Sequence, residues 1–529
     1  YATLNHKRCG QKLCYYDYDD FGNIIQETLC GNLSGSYPWA FWIDDKGRPK
    51  DQNVETYKKH YKYSSDHLLL EQTEDAGPTI EYRYKPKTDL LEAKFVKDDN
   101  KILSREFYAY NNAGILIETI VDDGTTDDKA SLEGVTQRLI TNITPNSSHG
   151  LPEGVSEYAY DTALKQKTLL KHTHYNYNKA HQVSEEAVFD ANNSYRYSTW
   201  YDYDHKGRLH RKTTPLESWL TNYDENGNKT YEKQEAADSH IIYSYDRANR
   251  CIETREYHYD GTQVVETSSY DFMGNKTSST DRYGHTTFYA YDECNRLIKT
   301  TFPDNTTIQK EYDIHDNVIR EINQNSSATT YEYTIRGEPC LVTYADGTTE
   351  RFCYHKNGRL GQKWDKSGVR TDYTYDVMGR VVKTSLYDSQ GILLSSRSNN
   401  YNAFHLLSTT DPMGNATHYR YDAAGRKIEE WQESADNYSK TTFEYDALGR
   451  LACTKRLFGS EACNFIATYL EYDKQNRIVL EKQTDSKAQD TSWIYYEYDR
   501  CNRCILKRTG HIAGDDADIC FGYNSKNEL

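Results

Sequence analysis

Apolar material is scarce in this chain. Hydrophobic residues make up 36% of the sequence and mean hydropathy is −0.92, where ordinary domains carry about 45–50% with glycine included. Scarcity on this scale argues against a solid globule of 529 residues and favours a thin or hollow body, wet on both sides. Disorder, the other reading of low hydropathy, is opposed by an aromatic content of 13%. No run of about 18 apolar residues occurs, so no membrane-spanning helix is expected. Net basic charge is also missing: 64 Lys and Arg face 80 Asp and Glu, for a balance of −16. That disfavours a nucleic-acid or anionic-membrane surface, both of which need a basic footprint. No signal peptide is visible. A start at Tyr1 and a stop at Asn527-Glu528-Leu529 read as a fragment, so this says nothing of the parent. The 12 cysteines, spaced irregularly from Cys9 to Cys520, lack the density of a small disulfide-built domain. Free thiols acting as small hydrophobes are expected.

Tyrosine is the residue in excess, with 49 copies against 14 Phe and 7 Trp. It recurs in register. Tyr270, Tyr291, Tyr312, Tyr333, Tyr354 and Tyr375 fall at equal steps of 21 residues, and the series continues through Tyr401, Tyr421, Tyr445, Tyr472, Tyr498 and Tyr523. Upstream anchors are Tyr177, Tyr203, Tyr223 and Tyr245, with degenerate copies at Tyr18, Tyr110 and Tyr160. Such a period marks a repeat architecture.

Each unit has one physical reading. Thr371-Asp372-Tyr373-Thr374-Tyr375 alternates as a strand does. Asp376-Val377-Met378-Gly379 follows, with Asp first and Gly fourth, the pattern of a type I turn. In hairpins such a turn commonly leads into a left-handed residue. The fourth position holds Gly in most copies, including Gly207, Gly379, Gly425 and Gly449. Elsewhere it holds Asn249, Asn295, Asp316, Asn476, Asn502 or His181, types that tolerate positive φ. Turns are thus predicted at 292–295, 376–379, 422–425 and 446–449. A second alternating stretch such as 296–302 returns the chain, and Pro303-Asp304-Asn305 turns it again. The fold class is all-β, a long antiparallel meander of hairpins with about seven residues per strand. Roughly thirty strands at about 4.8 Å each exceed what a twisted sheet holds flat, so the strip is expected to coil into a spiral, hollow β-shell. Three regions are expected: divergent hairpins over 1–120, a polar, turn-rich connector over 121–157, and the regular array over 158–529.

The repeat resembles the YD repeat of the Rhs family, whose consensus Tyr-Asp-x-x-Gly-Arg-Leu stands here as Tyr445-Asp446-Ala447-Leu448-Gly449-Arg450-Leu451. Close copies run from Tyr375-Asp376 through Gly379-Arg380, from Tyr421-Asp422 through Gly425-Arg426, and from Tyr203-Asp204 through Gly207. The likeness is clear from Tyr158 onward and weaker before it. The family includes bacterial Rhs polymorphic toxins, the C component of insecticidal toxin complexes, and teneurins. The resemblance implies a spiralling shell, a secreted or cell-surface location, toxin delivery by way of a secretion apparatus, and a C-terminal toxin cargo absent from this chain. The family's core-terminal signature, Asp-Pro-x-Gly-x-x-Gly, is only half matched at Asp411-Pro412-Met413-Gly414, where an ordinary turn is expected and more repeats follow.

Chemistry is hard to find. Asp20-Phe21-Gly22 resembles a kinase motif but lies in a repeat turn without its companions. Cys501-Asn502-Arg503-Cys504 is half a zinc site with no partner pair, and Asp224-Glu225-Asn226-Gly227-Asn228 reads as a turn before it reads as a calcium loop. No catalytic residue, cofactor site or metal site is assigned. Arg recurs just after the turn, as at Arg208, Arg296, Arg380, Arg426 and Arg450. It is either a cationic ladder for anionic glycans or cargo, or a structural partner of acidic residues and Tyr rings. Two functions stay open: a non-catalytic encapsulating scaffold, and a cell-surface module with carbohydrate binding or protein binding.

Overall fold

The structure is a computed structural model that describes residues 8–9, 12–36, 41–44, 46–51, 53–162, 164–235, 239–258, 261–433, 439–458, 464–487, 490–499, 502–511 and 517–523. The described residues contain no helix and 43 strands. Of these, 41 form one antiparallel meander in which each strand pairs with its neighbours in sequence; Arg8–Cys9 and Phe41–Trp42 pair apart from it. Among the described residues nothing joins the first strand, Lys12–Tyr18, to the last, Ala517–Cys520. The sheet is therefore an open ribbon and not a closed barrel.

The 21-residue period resolves cleanly. Strand Thr286–Tyr291, a five-residue turn, strand Leu297–Thr301 and a second five-residue turn lead into Thr307–Tyr312. Strands in the regular part are thus shorter than the expected seven residues, because each turn takes one more residue than its four-residue core. A bulge also lies beside the anchor tyrosine, in the strand that leaves the turn. Ala290 faces Lys299, but Tyr291 faces Leu297, so one residue is left over. That residue is Ile298, in the strand that leaves the turn, whereas the left-handed residue lies within the turn itself. Asn295 has φ +62°, His181 +62° and Gly379 +87°, and the other fourth-position residues named above are likewise positive. The amide of Asn295 donates to Asp292 O at 3.0 Å, and that of Gly379 to Asp376 O at 3.0 Å. The opposite rim repeats the geometry, with φ +67° at Asn305 and +88° at Gly414.

This geometry has a measurable cost. A Cβ on Gly274 would meet nothing within 4 Å, yet φ there is +97°. Gly274→Val is expected to destabilise its hairpin by about 1–2 kcal/mol through backbone strain alone, whereas Asn295→Gly is expected to be nearly neutral. Urea unfolding of the two variants checks this; equal losses would refute the conformational reading.

The ribbon winds on itself. The amide of Ile335 donates to Asn32 O at 3.0 Å, that of Tyr354 to Ser34 O at 2.9 Å, and that of Ala191 to Ala447 O at 3.0 Å. These pairs are one coil apart. Twenty-three strands, from Tyr195–Tyr203 through Ser439–Tyr445, separate the last pair. At about 4.8 Å per strand, one coil is about 110 Å around and about 35 Å across. Bulges raise local twist, which suits a ribbon that must keep curling.

Buried apolar residues are few and lie mainly in the first third. Phe95, Ile102, Phe107, Ile120 and Ile140 form one cluster, with Tyr158 and Tyr160 against it; Cys30, Phe41, Ile43 and Val54 form another. Within 121–157 the sheet runs on: Arg138–Pro145 pairs with both Leu116–Asp122 and Pro152–Asp161. The excursion from the sheet is confined to residues 123–137. Polar composition suggested a longer connector, but Arg138 and Ile140 turn to the buried face while Leu139, Thr141 and Ile143 share the other, as in a strand.

Candidate functional site

With little core to hold it, the wall depends on contacts between successive hairpins. Three side chains of the repeat make them. The anchor tyrosine lies half-buried on the sheet, and its hydroxyl donates to a carbonyl of the preceding hairpin. Tyr203 reaches Val183 O at 2.9 Å, Tyr375 Leu360 O at 2.8 Å, Tyr421 Leu406 O at 2.9 Å and Tyr445 Lys427 O at 2.7 Å. Tyr401 is an exception; there Asn399 Nδ2 donates instead, to Val381 O at 2.9 Å.

The turn aspartate organises its own loop and holds the arginine. Asp376 Oδ1 accepts from the amide of Arg380 at 2.8 Å while Oδ2 accepts from its Nε at 2.8 Å. Asp422 with Arg426 and Asp446 with Arg450 repeat this at 2.8 and 2.7 Å, and Asp204 with Arg208 at 2.7 Å. The arginine then crosses to the next hairpin. The guanidinium of Arg380 lies 4.5 Å from the Tyr401 ring centre and donates to Asn402 O at 2.7 Å. Arg426 lies over Tyr445 at 4.8 Å, and Arg450 over Tyr472 at 4.6 Å. Where the arginine is present, its ring contact and, in most copies, the tyrosine hydroxyl thus tie one hairpin to the next, while the ion pair within the turn holds the guanidinium in place. These arginines are engaged by acidic residues of their own turns and by tyrosine rings of the next hairpin. Gly207, Gly379, Gly425 and Gly449 occupy the positive-φ corners that let the chain return beneath the guanidinium. Sequence reasoning placed Tyr on the sheet face but missed the hydroxyl tie; the signal was the exclusion of Phe from the anchor series.

Electrostatics make the clamp sensitive to acid. Partial desolvation would raise the Asp204 carboxyl, but the amide of Arg208 and then its guanidinium outweigh it and bring the pKa down to about 2. For Asp246 the Arg250 guanidinium is the main cause of a lowered pKa, and for Asp292 the Arg296 amide. A depressed carboxyl stabilises the fold above its unfolded value of about 3.9 and loses that contribution as pH falls through the folded value. Urea midpoints are therefore expected to fall between about pH 4 and pH 2. The deficit of Asp204→Asn relative to wild type should shrink over the same window. A deficit unchanged at pH 2 would show that the ion pair is not its source.

The seam between coils is the second constellation. The 123–137 loop is fastened from below. Arg105 Nε donates to Asp122 Oδ1, its Nη1 to Asp128 O at 2.9 Å and its Nη2 to Ser131 O at 2.6 Å. Arg138 Nε donates to Asp122 Oδ2 at 2.7 Å. From this base Gln137 Oε1 meets His405 Nε2 at 2.6 Å, and Asn402 Nδ2 donates to Thr136 Oγ1 at 3.3 Å, one coil later.

The other chemical candidates resolve into turns. Asp19 Oδ1 and Oδ2 accept from the Phe21 amide at 3.0 Å and Asn23 Nδ2 at 2.8 Å. Asp224 is occupied in the same way by Asn228, at 2.8 Å through each oxygen. Cys501 lies outside the described residues. Cys504 Sγ sits 3.5 Å from Leu506 O, and among the described residues no group of three or more His, Cys, Asp or Glu could hold a metal ion.

Comparison with known proteins agrees with this geometry. Residues 303–487 match the family model described as Teneurin YD-shell. A curated relative, double-stranded DNA deaminase toxin A of Burkholderia cenocepacia (strain H111), is 27% identical over 214 residues, which are 40% of this chain and 11% of that protein. Among solved structures, TcdB2-TccC3-TEV superposes with a TM-score of 0.62 at 12% identity, over 97% of this chain and 31% of that one. The Photorhabdus luminescens Tc holotoxin pore with the TccC3-D651A mutation gives 0.62 at 13% identity, over 96% and 35%. At these identities the structural likeness is one of fold, and the chain spans about a third of the solved chains it matches.

Proposed function

We propose, from the premise that this chain belongs to the Rhs/YD-repeat family, that it is a non-catalytic wall segment whose enclosed space serves a C-terminal toxin cargo of its parent protein. The observation that carries the reading is the seam between coils. Coils one turn apart are joined by backbone and side-chain hydrogen bonds at Ile335, Tyr354, Ala447 and His405, and buried apolar residues are few among the described residues. A wall of this kind excludes a protease by size. The polar composition supports a wet interior, and a relative named as a toxin supports the class of cargo. The same reading places the parent outside the cell that makes it. The 158–529 array serves as regular wall, and residues 123–137 serve as a clasp between coils.

The test is to express the parent with its C-terminal region and digest it. That region is expected to survive inside the parent at least tenfold longer than alone. Equal rates would defeat the cage reading. Saturable binding of a defined glycan array by this chain, with equal digestion rates, would favour the surface-binding module.

A further inference from the structure

The turn after Tyr401 departs from the repeat, and it does so where the later coil meets the clasp. Between Leu393–Tyr401 and Leu406–Thr410 stand four residues, Asn402, Ala403, Phe404 and His405, in place of the usual five. Asn402 takes the place of the turn aspartate, and no arginine follows. In the copies that carry it, the guanidinium covers the next anchor ring. Here the His405 imidazole does so, stacked on Tyr421 at 4.2 Å and 16°. A fixed cation has been exchanged for a ring that titrates near neutrality. The same ring reaches the earlier coil. Its Nε2 lies 2.6 Å from Gln137 Oε1, and with that oxygen as acceptor Nε2 carries the proton. Gln137 is buried and sits on bare backbone: a Cβ at Gly425 would come within 2.5 Å of its Nε2 and 3.1 Å of His405 Nε2. Among the described residues no other histidine ring is hydrogen-bonded from one coil to another.

We propose that His405 is an acid-operated latch on the clasp: uncharged it holds residues 123–137 to the later coil, and protonated at Nδ1 it releases them. The groups around the ring explain why a cation is not held there. Nδ1 has no hydrogen-bond acceptor among the described residues. The turn's own carboxylate is missing, since Asn402 stands in its place. Asp422, on the next turn, is already paired with Arg426 at 2.8 Å. Asp123, in the clasp, is committed to the Thr136 amide at 2.7 Å, the Thr136 hydroxyl and the Gln137 amide at 3.1 Å. Arg380 already brings a positive charge to this turn, donating to Asn402 O at 2.7 Å and Ala403 O at 3.0 Å. Tyr421 stays neutral, its hydroxyl pushed up by burial. Burial likewise lowers the imidazole from its ordinary value and outweighs the opposing pull of Asp123 and Asp422. A lowered histidine contributes stability that is complete above its unfolded value of about 6.5 and is lost as pH falls below it. The aspartate–arginine clamps of the repeat lose theirs only below about pH 4, so the latch acts in a separate window.

Hydrogen exchange of this chain tests the latch, with each amide's rate corrected for its intrinsic pH dependence. From about pH 7.5 to about pH 5, protection across residues 123–137 is expected to fall at least tenfold while strand Thr349–Tyr354 changes little. His405→Gln keeps a donor for Gln137 and cannot titrate; its protection is expected to be the same at both pH values. His405→Lys is charged throughout and is expected to be open at both. Equal protection of the wild type at both pH values would overturn the proposal, as would an acid response that survives in His405→Gln. If the glutamine variant is open at both, the wild type decides. The midpoint of clasp opening must then match the titration of the His405 ring read by NMR, and a mismatch of more than about one pH unit overturns the proposal. The latch rests on the seam and not on the cargo, so its failure leaves the digestion result for the cage untouched.

Discussion

Asp122→Ala is expected to destabilise the strands around the clasp by about 3–5 kcal/mol, the range for removing one member of a buried ionic group. Register explains the size of the effect. Asp122 lies directly across from Arg105 on one neighbouring strand and Arg138 on the other, so the three side chains line up on one face. Asp122 and Arg105 are wholly buried, and Arg138 is 7% exposed. Without the carboxylate, two like charges remain side by side out of water. Asp122 Oδ1 also accepts from the amide of Gly124 at 2.9 Å, so the entry to the 123–137 loop is released as well. Long arrays unfold in sections, and the measurement is therefore local: hydrogen exchange in strands Lys101–Tyr110 and Arg138–Pro145. Exchange there is expected to rise by at least two orders of magnitude while strand Thr349–Tyr354 changes little. A control replaces all three charges, with Arg105→Met, Asp122→Leu and Arg138→Met together. It should recover much of the protection, since buried ion groups are often matched by apolar side chains. The loop should stay free even so, because the carbonyls of Asp128 and Ser131 lose their donor. Equal exchange in the single and triple variants would refute the account.

Why this group was not legible in the sequence, while the turns were, is a matter of range. Asp292, Asn295 and Arg296 act within five residues, and their spacing alone reports the backbone conformation they need. Asn295, Asp316 and His181 show this best, because their residue types differ and their positive φ is shared. The ribbon and its curling follow from the same local code repeated. Arg105, Asp122 and Arg138 are scattered along the chain, and only strand register joins them. Gln137 and His405 are farther apart still, and meet because one coil contains 20 or more strands, a number set by small twists that no motif encodes. Nor did composition separate residues 123–137 from the strand at 138–145, since both are polar and only the second alternates. The tyrosine hydroxyl lies between these extremes. Its acceptor sits in the preceding hairpin, about one repeat away, so the residue choice was visible while its partner was not.

Replacing Tyr312, Tyr333, Tyr354 and Tyr375 together by Phe is expected to cost about 4 kcal/mol. Each hydroxyl donates to a carbonyl of the hairpin before it: to Leu297 at 2.8 Å, Val318 at 2.7 Å, Pro339 at 2.8 Å and Leu360 at 2.8 Å. Phe keeps the ring, its burial and the arginine above it, as Arg296 stands over Tyr312 at 4.9 Å. The loss is then the hydrogen bond alone, at about 1 kcal/mol each. Successive anchors are two strands or about 10 Å apart, far enough for the losses to add. Tyr373→Phe is the control: it shares a strand with Tyr375 but makes no hydroxyl bond among the described residues, and its substitution is expected to be nearly silent. Alkali gives an independent check. Burial is the main reason that Tyr354 is pushed up to about 12. A raised folded pKa means stability that is complete below the unfolded value of about 10 and lost as pH climbs through 12. Wild type should thus lose its margin over the fourfold variant between about pH 10 and pH 12, with phenolate absorbance at 295 nm rising together with unfolding. If the margin persists above pH 12, or if Tyr373→Phe costs as much as an anchor substitution, the hydroxyl tie is not what holds one hairpin to the next.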